Sequence, residues 1–168
     1  MARERFKAVP AVYLFLYNEG GDIFLGRRYR TGYEDGKYMV PSGHVEAGES
    51  LREAMAREAM EEVGVAVRHE DLRLVYVMYR APRDENGTRA DFFFTTEYYE
   101  GEPCNREPEK CDEVGWFPAG DLPENTVAYL RHAIEGAAKG EVFCDWGWEY
   151  KVMTEGEMLS HEKIIVAS

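Results

Sequence analysis

Apolar residues fall in short runs, and most of these runs have the length and composition of β-strands. Residues 9–17 are almost wholly apolar and are followed by Asn18-Glu19-Gly20-Gly21-Asp22, which is typical of a turn. We therefore predict a strand buried on both faces, with residues 22–28 as its hairpin partner. Further strands are predicted at about residues 72–80, 90–99 and 114–117, with a hairpin turn at residues 83–88.

Two segments carry helical signals instead. Ser50 and Glu53 form a capping box, in which each side chain accepts a hydrogen bond from the other residue's backbone amide. The box predicts a helix that ends at Gly64, since glycine adopts the left-handed conformation common at helix ends. A second helix is predicted from Val127 to Lys139. Strands interrupted by two helices indicate one α+β domain, a mixed-sheet sandwich over residues 1–168.

The first predicted helix carries acidic residues on the face that should meet the core. On a helical wheel of about 100° per residue, Leu51 and Met55 define the apolar side. Glu58 and Glu62 fall in the middle of that side, and Glu61 lies at its edge. Carboxylates on an inward face repel each other and lose hydration unless cations neutralise them. Without histidine or thiolate, such a set suits a hard cation, Mg²⁺ or Mn²⁺.

The composition limits the classes of partner. The chain carries 32 acidic and 20 basic residues, a formal net charge of −12. Binding to nucleic acid polymers or anionic membranes depends on clustered positive charge, so we expect neither. Three widely spaced cysteines without a C-x-x-C pair are typical of free thiols in a reducing compartment. No stretch approaches the ~20 apolar residues of a membrane span, so a cytoplasmic protein is expected.

The spacing around this helix forms a specific motif. Residues 43–65 resemble the Nudix box. They consist of Gly43, five residues, Glu49, seven residues and then Arg57-Glu58-Ala59-Met60-Glu61-Glu62-Val63-Gly64-Val65. That box is G-x5-E-x7-R-E-U-x-E-E-x-G-U, where U is a large aliphatic residue. Every fixed position matches, and only Ala59 is smaller than the pattern. The resemblance implies an α/β/α sandwich with a mixed sheet, and hydrolysis of a nucleoside diphosphate linked to another group.

The resemblance also implies a metal site. Glu58 and Glu62 would be the primary ligands of Mg²⁺, for which Mn²⁺ can substitute, and Glu61 would complete the set. The backbone carbonyl of Ser42 is a further candidate ligand. Three residues remain candidates for the general base that accepts the proton of the attacking water: Glu58, Glu61 and Glu107.

The remaining residues of the motif are implied to support these carboxylates. Arg57, counted with the catalytic residues, would brace Glu58, and Glu49 would fix the preceding loop onto the helix. Gly43 and Gly64 would be structural positions.

Outside the box, the chain resembles MutT-type nucleoside triphosphate pyrophosphohydrolases. Residues 22–28 are similar to a MutT strand whose second arginine contacts substrate phosphate, which implies Arg28, with Arg27 as an additional contact. Leu122-Pro123-Glu124-Asn125 resembles the segment with the base-reading asparagine, which implies Asn125.

The same resemblance implies an accessory metal carboxylate after the turn Glu100-Gly101-Glu102-Pro103. Its position falls on Glu107. The stretch that follows is longer than in MutT, so Glu109 and Glu113 remain alternatives.

The expected function is thus Mg²⁺-dependent hydrolysis of a nucleoside triphosphate, or of a diphosphate linked to another group, to a nucleoside monophosphate. The partner would be a small-molecule nucleotide, and a homodimer is compatible with the sequence. An ADP-ribose or nucleotide-sugar pyrophosphatase is the alternative enzyme. A domain that only senses a nucleotide is the alternative from another class, although such domains typically lose box glutamates.

Overall fold

The computed structural model describes residues 5–82 and 87–149, which form eight strands and two α-helices. The α-helices are α1 (Leu51–Val63) and α2 (Ala128–Ala138), and a short 3-10 helix spans His69–Asp71. The strands are β1 (Val9–Phe15), β2 (Asp22–Arg28), β3 (Tyr38–Met39), β4 (Ser42–His44), β5 (Arg73–Arg80), β6 (Arg89–Thr95), β7 (Cys111–Pro118) and β8 (Phe143–Trp146).

Five strands form a mixed sheet in the order β4-β1-β6-β5-β8. β1 runs parallel to β6 and antiparallel to β4, while β5 runs antiparallel to β6 and parallel to β8. The other three strands form an antiparallel sheet in the order β3-β2-β7. The mixed sheet predicted from the sequence is confirmed.

Strand β1 is the centre of the fold because both of its faces are buried. Val12 and Leu14 belong to a core cluster with Met55 of α1. Tyr13 and Phe15 point the other way, into a cluster with α2 residues Leu130, Ala133 and Ile134. The alternation of side chains along a strand therefore places one helix on each side of the sheet. This is the α/β/α sandwich that the resemblance implied.

The predicted hairpin of β1 with residues 22–28 is wrong beyond its turn. The turn forms, with one bridge between Tyr17 and Ile23 and a bond from the Phe24 amide to the Leu16 carbonyl at 2.9 Å. β2 then pairs with β3 and β7 instead. The physical reason is that β4 and β6 already occupy both hydrogen-bonding edges of β1.

The predicted limits of α1 are confirmed in detail. Ser50 Oγ accepts a bond from the Glu53 amide at 3.3 Å, and Glu53 Oε2 accepts from the Ser50 amide at 2.7 Å. Gly64 ends the helix in the left-handed region, with φ of 73°. Most of the predicted turn at 83–88 lies outside the described residues. Over the part of the chain that is described, no helix is long and apolar enough to cross a membrane.

Candidate active site

A cavity of about 870 Å³ opens between α1, β4, the loop of residues 29–37 and the segment that precedes β7. This volume lies within the range of small-molecule sites. The acidic residues predicted as ligands all line it: Glu58, Glu61, Glu62 and Glu107. Basic side chains line it too: Arg28, Arg30, Arg57, Arg89 and Lys110. A cavity with both signs of charge suits an anionic ligand bound together with a cation.

Glu58 approaches β4 so closely that only glycine fits opposite it. A Cβ atom added to Gly43 would lie 1.9 Å from Glu58 Oε1 and 2.1 Å from its Cδ. The backbone of Gly43 is not in the left-handed region, so the glycine is required by this contact and not by its conformation. The missing side chain leaves a cradle in which the carboxylate lies against the strand.

Arg57 joins the loop before α1 to the carboxylates on it. Its guanidinium donates to both carboxylate oxygens of Glu49, at 2.8 and 3.2 Å. One terminal nitrogen also donates to Glu58 Oε1 at 2.7 Å and to Glu61 Oε2 at 3.2 Å. The other donates to the backbone carbonyl of His44 at 3.1 Å. Arg57 therefore holds the orientation of Glu58 while it ties β4 to the helix.

Glu62 is half-buried and lies against β4. Its Oε2 accepts a bond from the Ser42 amide at 2.8 Å, which places Ser42 beside the acids, and a role of the Ser42 carbonyl as a metal ligand stays a prediction. Burial raises the pKa of Glu62 to about 8, and the nearby charges of Glu58 and Glu107 act in the same direction. Burial also raises the pKa of Glu58. Both carboxylates are thus poised to gain stability from a cation.

The loop that carries Glu107 is fastened to the end of α1. The Cys104 and Arg106 amides donate to helix carbonyls of Val63 and Glu62, each at 3.0 Å. Asn105 accepts from the Glu107 amide at 3.0 Å. These bonds hold the Glu107 side chain in the cavity.

The structure separates the three candidates for the accessory carboxylate. Glu107 lines the cavity and pairs with Lys110 at 2.7 Å. Glu109 is exposed and is not part of the lining. Glu113 pairs with Arg27 at 3.0 Å, outside the cavity. Only Glu107 is brought together with the acids of α1.

The two adjacent arginines of β2 point in different directions. Arg28 lines the cavity and donates to the Tyr33 carbonyl at 2.7 Å and to Thr31 Oγ1 at 3.0 Å. Arg27 lies on the other face, where it pairs with Asp112 at 2.8 Å and with Glu113. The alternation of side chains along a strand accounts for this difference.

Asn125 does not belong to the cavity lining. Its side-chain amide donates to the backbone carbonyl of Gly36 at 2.7 Å, and its backbone carbonyl accepts from the Tyr38 amide at 3.1 Å. It thereby holds the end of the loop formed by residues 29–37, which we call the Tyr33 loop.

Sequence reasoning missed a buried polar cluster beside the cavity. The side chains of Arg80 and Asp91, on β5 and β6, form an ion pair at 2.8 Å. Arg80 also donates to the Tyr33 hydroxyl at 3.1 Å and lies 3.9 Å from the centre of the Tyr129 ring. Tyr13 donates to Asp91 at 3.4 Å. The available signal was a pair of opposite charges at the ends of otherwise apolar strands.

The residues present fit a divalent cation. Within residues 5–82 and 87–149, no three His, Cys, Asp or Glu side chains already surround one point. Glu58 and Glu61 are instead engaged by Arg57. The Gly43 cradle, the half-buried Glu62 carboxyl with its raised pKa and a donor set made only of oxygen atoms nevertheless match the preference of Mg²⁺ and Mn²⁺.

Comparisons with known proteins agree with this geometry. The sequence model of the NUDIX domain matches residues 7–136. The 8-oxo-dGTP diphosphatase of Escherichia coli (strain K12) is 36% identical over 119 residues, covering 68% of this chain and 89% of that protein. The RNA pyrophosphohydrolase of Wolbachia sp. subsp. Brugia malayi (strain TRS) is 27% identical over 152 residues, 80% and 90% of the two chains. The crystal structure of a MutT NUDIX hydrolase from Burkholderia pseudomallei aligns with a TM-score of 0.69 at 26% identity, covering 77% and 98%.

Proposed function

Because this chain belongs to the Nudix family, we propose that it is a MutT-like pyrophosphohydrolase that converts a nucleoside triphosphate to a nucleoside monophosphate and pyrophosphate. The observation that carries the proposal is the cavity in which the box carboxylates face Arg28. Such a site can bind a polyphosphate between a cation held by the carboxylates and a guanidinium.

Glu58 and Glu62 would hold the cation, with Glu61 and Glu107 completing the oxygen ligands. We propose Mg²⁺, with Mn²⁺ as a substitute, because the donor set is made only of oxygen atoms. When bound, the ion would neutralise phosphate charge and lower the pKa of a water molecule. Glu62 must lose its proton for this role, and its raised pKa makes that loss depend on the cation.

The protein's own residues would orient the reaction. Arg57 holds Glu58 at 2.7 Å and thereby sets the direction of that carboxylate. Glu58, Glu61 and Glu107 are the candidates for the base that takes the proton from the attacking water. Each has a carboxyl group that lines the cavity, and a general base must lie within reach of the water whose proton it takes.

Arg28 would hold the phosphate tail. A guanidinium has five N–H donors, and three protein atoms accept from Arg28: the Tyr33 carbonyl, Thr31 Oγ1 and Met39 Sδ. Two donors therefore remain for phosphate oxygens. Arg27 is left out of the proposed site because Asp112 and Glu113 engage it elsewhere.

A mononucleotide fits better than a nucleic acid chain. The net charge of −12 gives the surface no general attraction for a polyanion. Local contacts alone would have to overcome the repulsion between this surface and the phosphates of a nucleic acid chain. The cavity provides such contacts for a single phosphate tail.

The test is hydrolysis of a nucleotide panel by the full chain with Mg²⁺. The panel holds ordinary and oxidised triphosphates, nucleoside diphosphates, ADP-ribose, nucleotide sugars and dinucleoside polyphosphates. Pyrophosphate and monophosphate released from a triphosphate are the expected products. Turnover confined to ADP-ribose or a nucleotide sugar would contradict the proposal in favour of the alternative enzyme.

Variants then test the acids. Glu58→Gln and Glu107→Gln should each lower kcat, the first by about 100-fold or more, because each loses a charged group at the cation. Glu109→Gln is the matched control, since Glu109 is exposed outside the cavity. Wild-type turnover of Glu58→Gln would refute the metal assignment.

A further inference from the structure

The cavity extends beyond the box acids to the α2 side of the sheet, where its lining is aromatic. Tyr13, Tyr33 and Tyr129 line this part. Tyr13 and Tyr129 belong to the core cluster of α2, whereas the box acids lie on α1. Tyr13 and Tyr129 are almost fully buried, at 2% and 4% exposed, whereas Tyr33 is half-buried. Tyr33 is therefore the tyrosine of this part that the base of a bound nucleotide can reach.

Arg80 fixes the hydrogen bonding of the Tyr33 hydroxyl. A guanidinium only donates, so the Tyr33 oxygen is the acceptor of the 3.1 Å bond. The hydroxyl hydrogen must then point to another group. Over residues 5–82 and 87–149 no acceptor receives it. Since Tyr33 is half-buried and lines the cavity, its free donor is available to a ligand.

Arg80 itself has little freedom to move. Its side chain is 6% exposed, and its partner Asp91 is fully buried. Besides the ion pair, it donates to the Tyr13 hydroxyl at 3.3 Å and packs on the Tyr129 ring. A buried cation held on several sides keeps its direction, so the bond to Tyr33 is preorganised.

The Tyr33 loop is fixed from the other end as well. Asp35 accepts from the backbone amides of Thr31 and Gly32, at 2.9 and 3.0 Å. Asn125 donates to the Gly36 carbonyl, and Arg28 donates to the Tyr33 carbonyl. These bonds set both the backbone and the hydroxyl of Tyr33 before any ligand arrives.

We propose that Tyr33 is a specificity residue whose hydroxyl donates to a carbonyl oxygen on the nucleobase. The proposal rests on the proposed function, since it places a nucleotide in the same cavity. An amino group at that ring position presents hydrogen atoms to a donor and leaves the hydroxyl unpaired, which disfavours it. The site therefore selects 6-carbonyl purines or 4-carbonyl pyrimidines over their amino counterparts.

Paired substrates test this directly. Inosine and adenosine triphosphates form the purine pair, and uridine and cytidine triphosphates form the pyrimidine pair. In the pair that the wild type prefers, kcat/KM should be about 10-fold or more higher for the carbonyl member than for the amino member. Tyr33→Phe should reduce this ratio of kcat/KM values by about 10-fold. Tyr98→Phe is the matched control, because Tyr98 is 66% exposed and lies outside this cavity.

A binding measurement separates this inference from the proposed function. If the wild type hydrolyses none of the nucleotides, the proposed function fails. The ratio of the dissociation constants of inosine and adenosine monophosphates, or of uridine and cytidine monophosphates, then tests Tyr33 by calorimetry. An equal ratio in wild type and Tyr33→Phe, a preference for the amino member or no binding at all would overturn the inference. The thermal midpoint of each variant checks that it is folded.

Discussion

The contact between Gly43 and Glu58 makes a sharp prediction for Gly43→Ala. The new methyl group would lie 1.9 Å from Glu58 Oε1, 2.1 Å from its Cδ and 2.7 Å from Oε2. Real Cβ contacts essentially never fall below 3.0 Å, so the carboxylate must move by about 1 Å or more. The backbone itself can accept alanine, since Gly43 has no positive φ.

Gly43→Ala should lower activity strongly and change the thermal stability only slightly. The clash involves the far end of a flexible side chain, which can rotate away, and alanine restricts the unfolded chain. The melting temperature should therefore stay within about 4 °C of the wild type. The displaced Glu58, however, loses its bond to Arg57 and its place among the box acids. A misplacement of this size can lower kcat/KM by about 100-fold.

Two measurements on one preparation test whether the cradle at Gly43 positions Glu58. Calorimetric titration with Mn²⁺ should show weaker binding in Gly43→Ala, and the kinetic assay should show the loss of kcat/KM. Gly120→Ala is the matched control, because Gly120 has no atom within 4 Å of an added Cβ and no positive φ. Retention of both Mn²⁺ affinity and kcat/KM would refute the role of the cradle. A collapse of the melting temperature would show that the backbone, and not Glu58, takes up the strain.

The remaining predictions concern pH and the Tyr33 loop. The pKa of Glu62 in the folded chain is about 8 against an ordinary value of 4.5, so the folded state keeps a proton that the unfolded state has lost. With metal removed by chelation, the free energy of unfolding should fall as the pH rises between about 5 and 8, by at most about 1.4 kcal/mol per pH unit. Thermal unfolding of Glu62→Gln should lack this component; parallel pH curves for the two proteins would contradict the assignment. Asn125→Ala should weaken base discrimination through the Gly36 contact, and a double-mutant cycle with Tyr33→Phe should show no further loss of discrimination. Additive losses would instead mean that Asn125 contacts the base itself.

The sequence predicted the position of the box acids in the cavity because these acids are close together along the chain, on one helix. The helical wheel places Glu58 and Glu62 on the apolar side of α1, and in the structure both line the cavity while Met55 is buried in the core. The capping box predicted the start of the helix, and glycine at 64 its end. Such features depend on neighbours within a few positions, and helical geometry relates these positions directly.

Pairing between distant segments was harder to predict. The turn after β1 is clear from its polar residues, yet the pattern cannot show that β4 and β6 occupy the edges of β1. β8 was not predicted either, since it joins β5 through a parallel pairing that requires the whole sheet. Hydrophobic periodicity indicates which segments become strands, but it does not specify their neighbours.

The same difference explains why the sequence contains a signal for Asn125 but none for Tyr33. The hydroxyl of Tyr33 gains its direction only when β5 and β6 bring Arg80 and Asp91 together beside the cavity. These three residues lie 47 and 11 positions apart along the chain, so no short motif contains them. The acids of α1 and this polar cluster are built by separate segments. Substitutions at Tyr33 can therefore change base preference without disturbing the residues proposed to hold the cation.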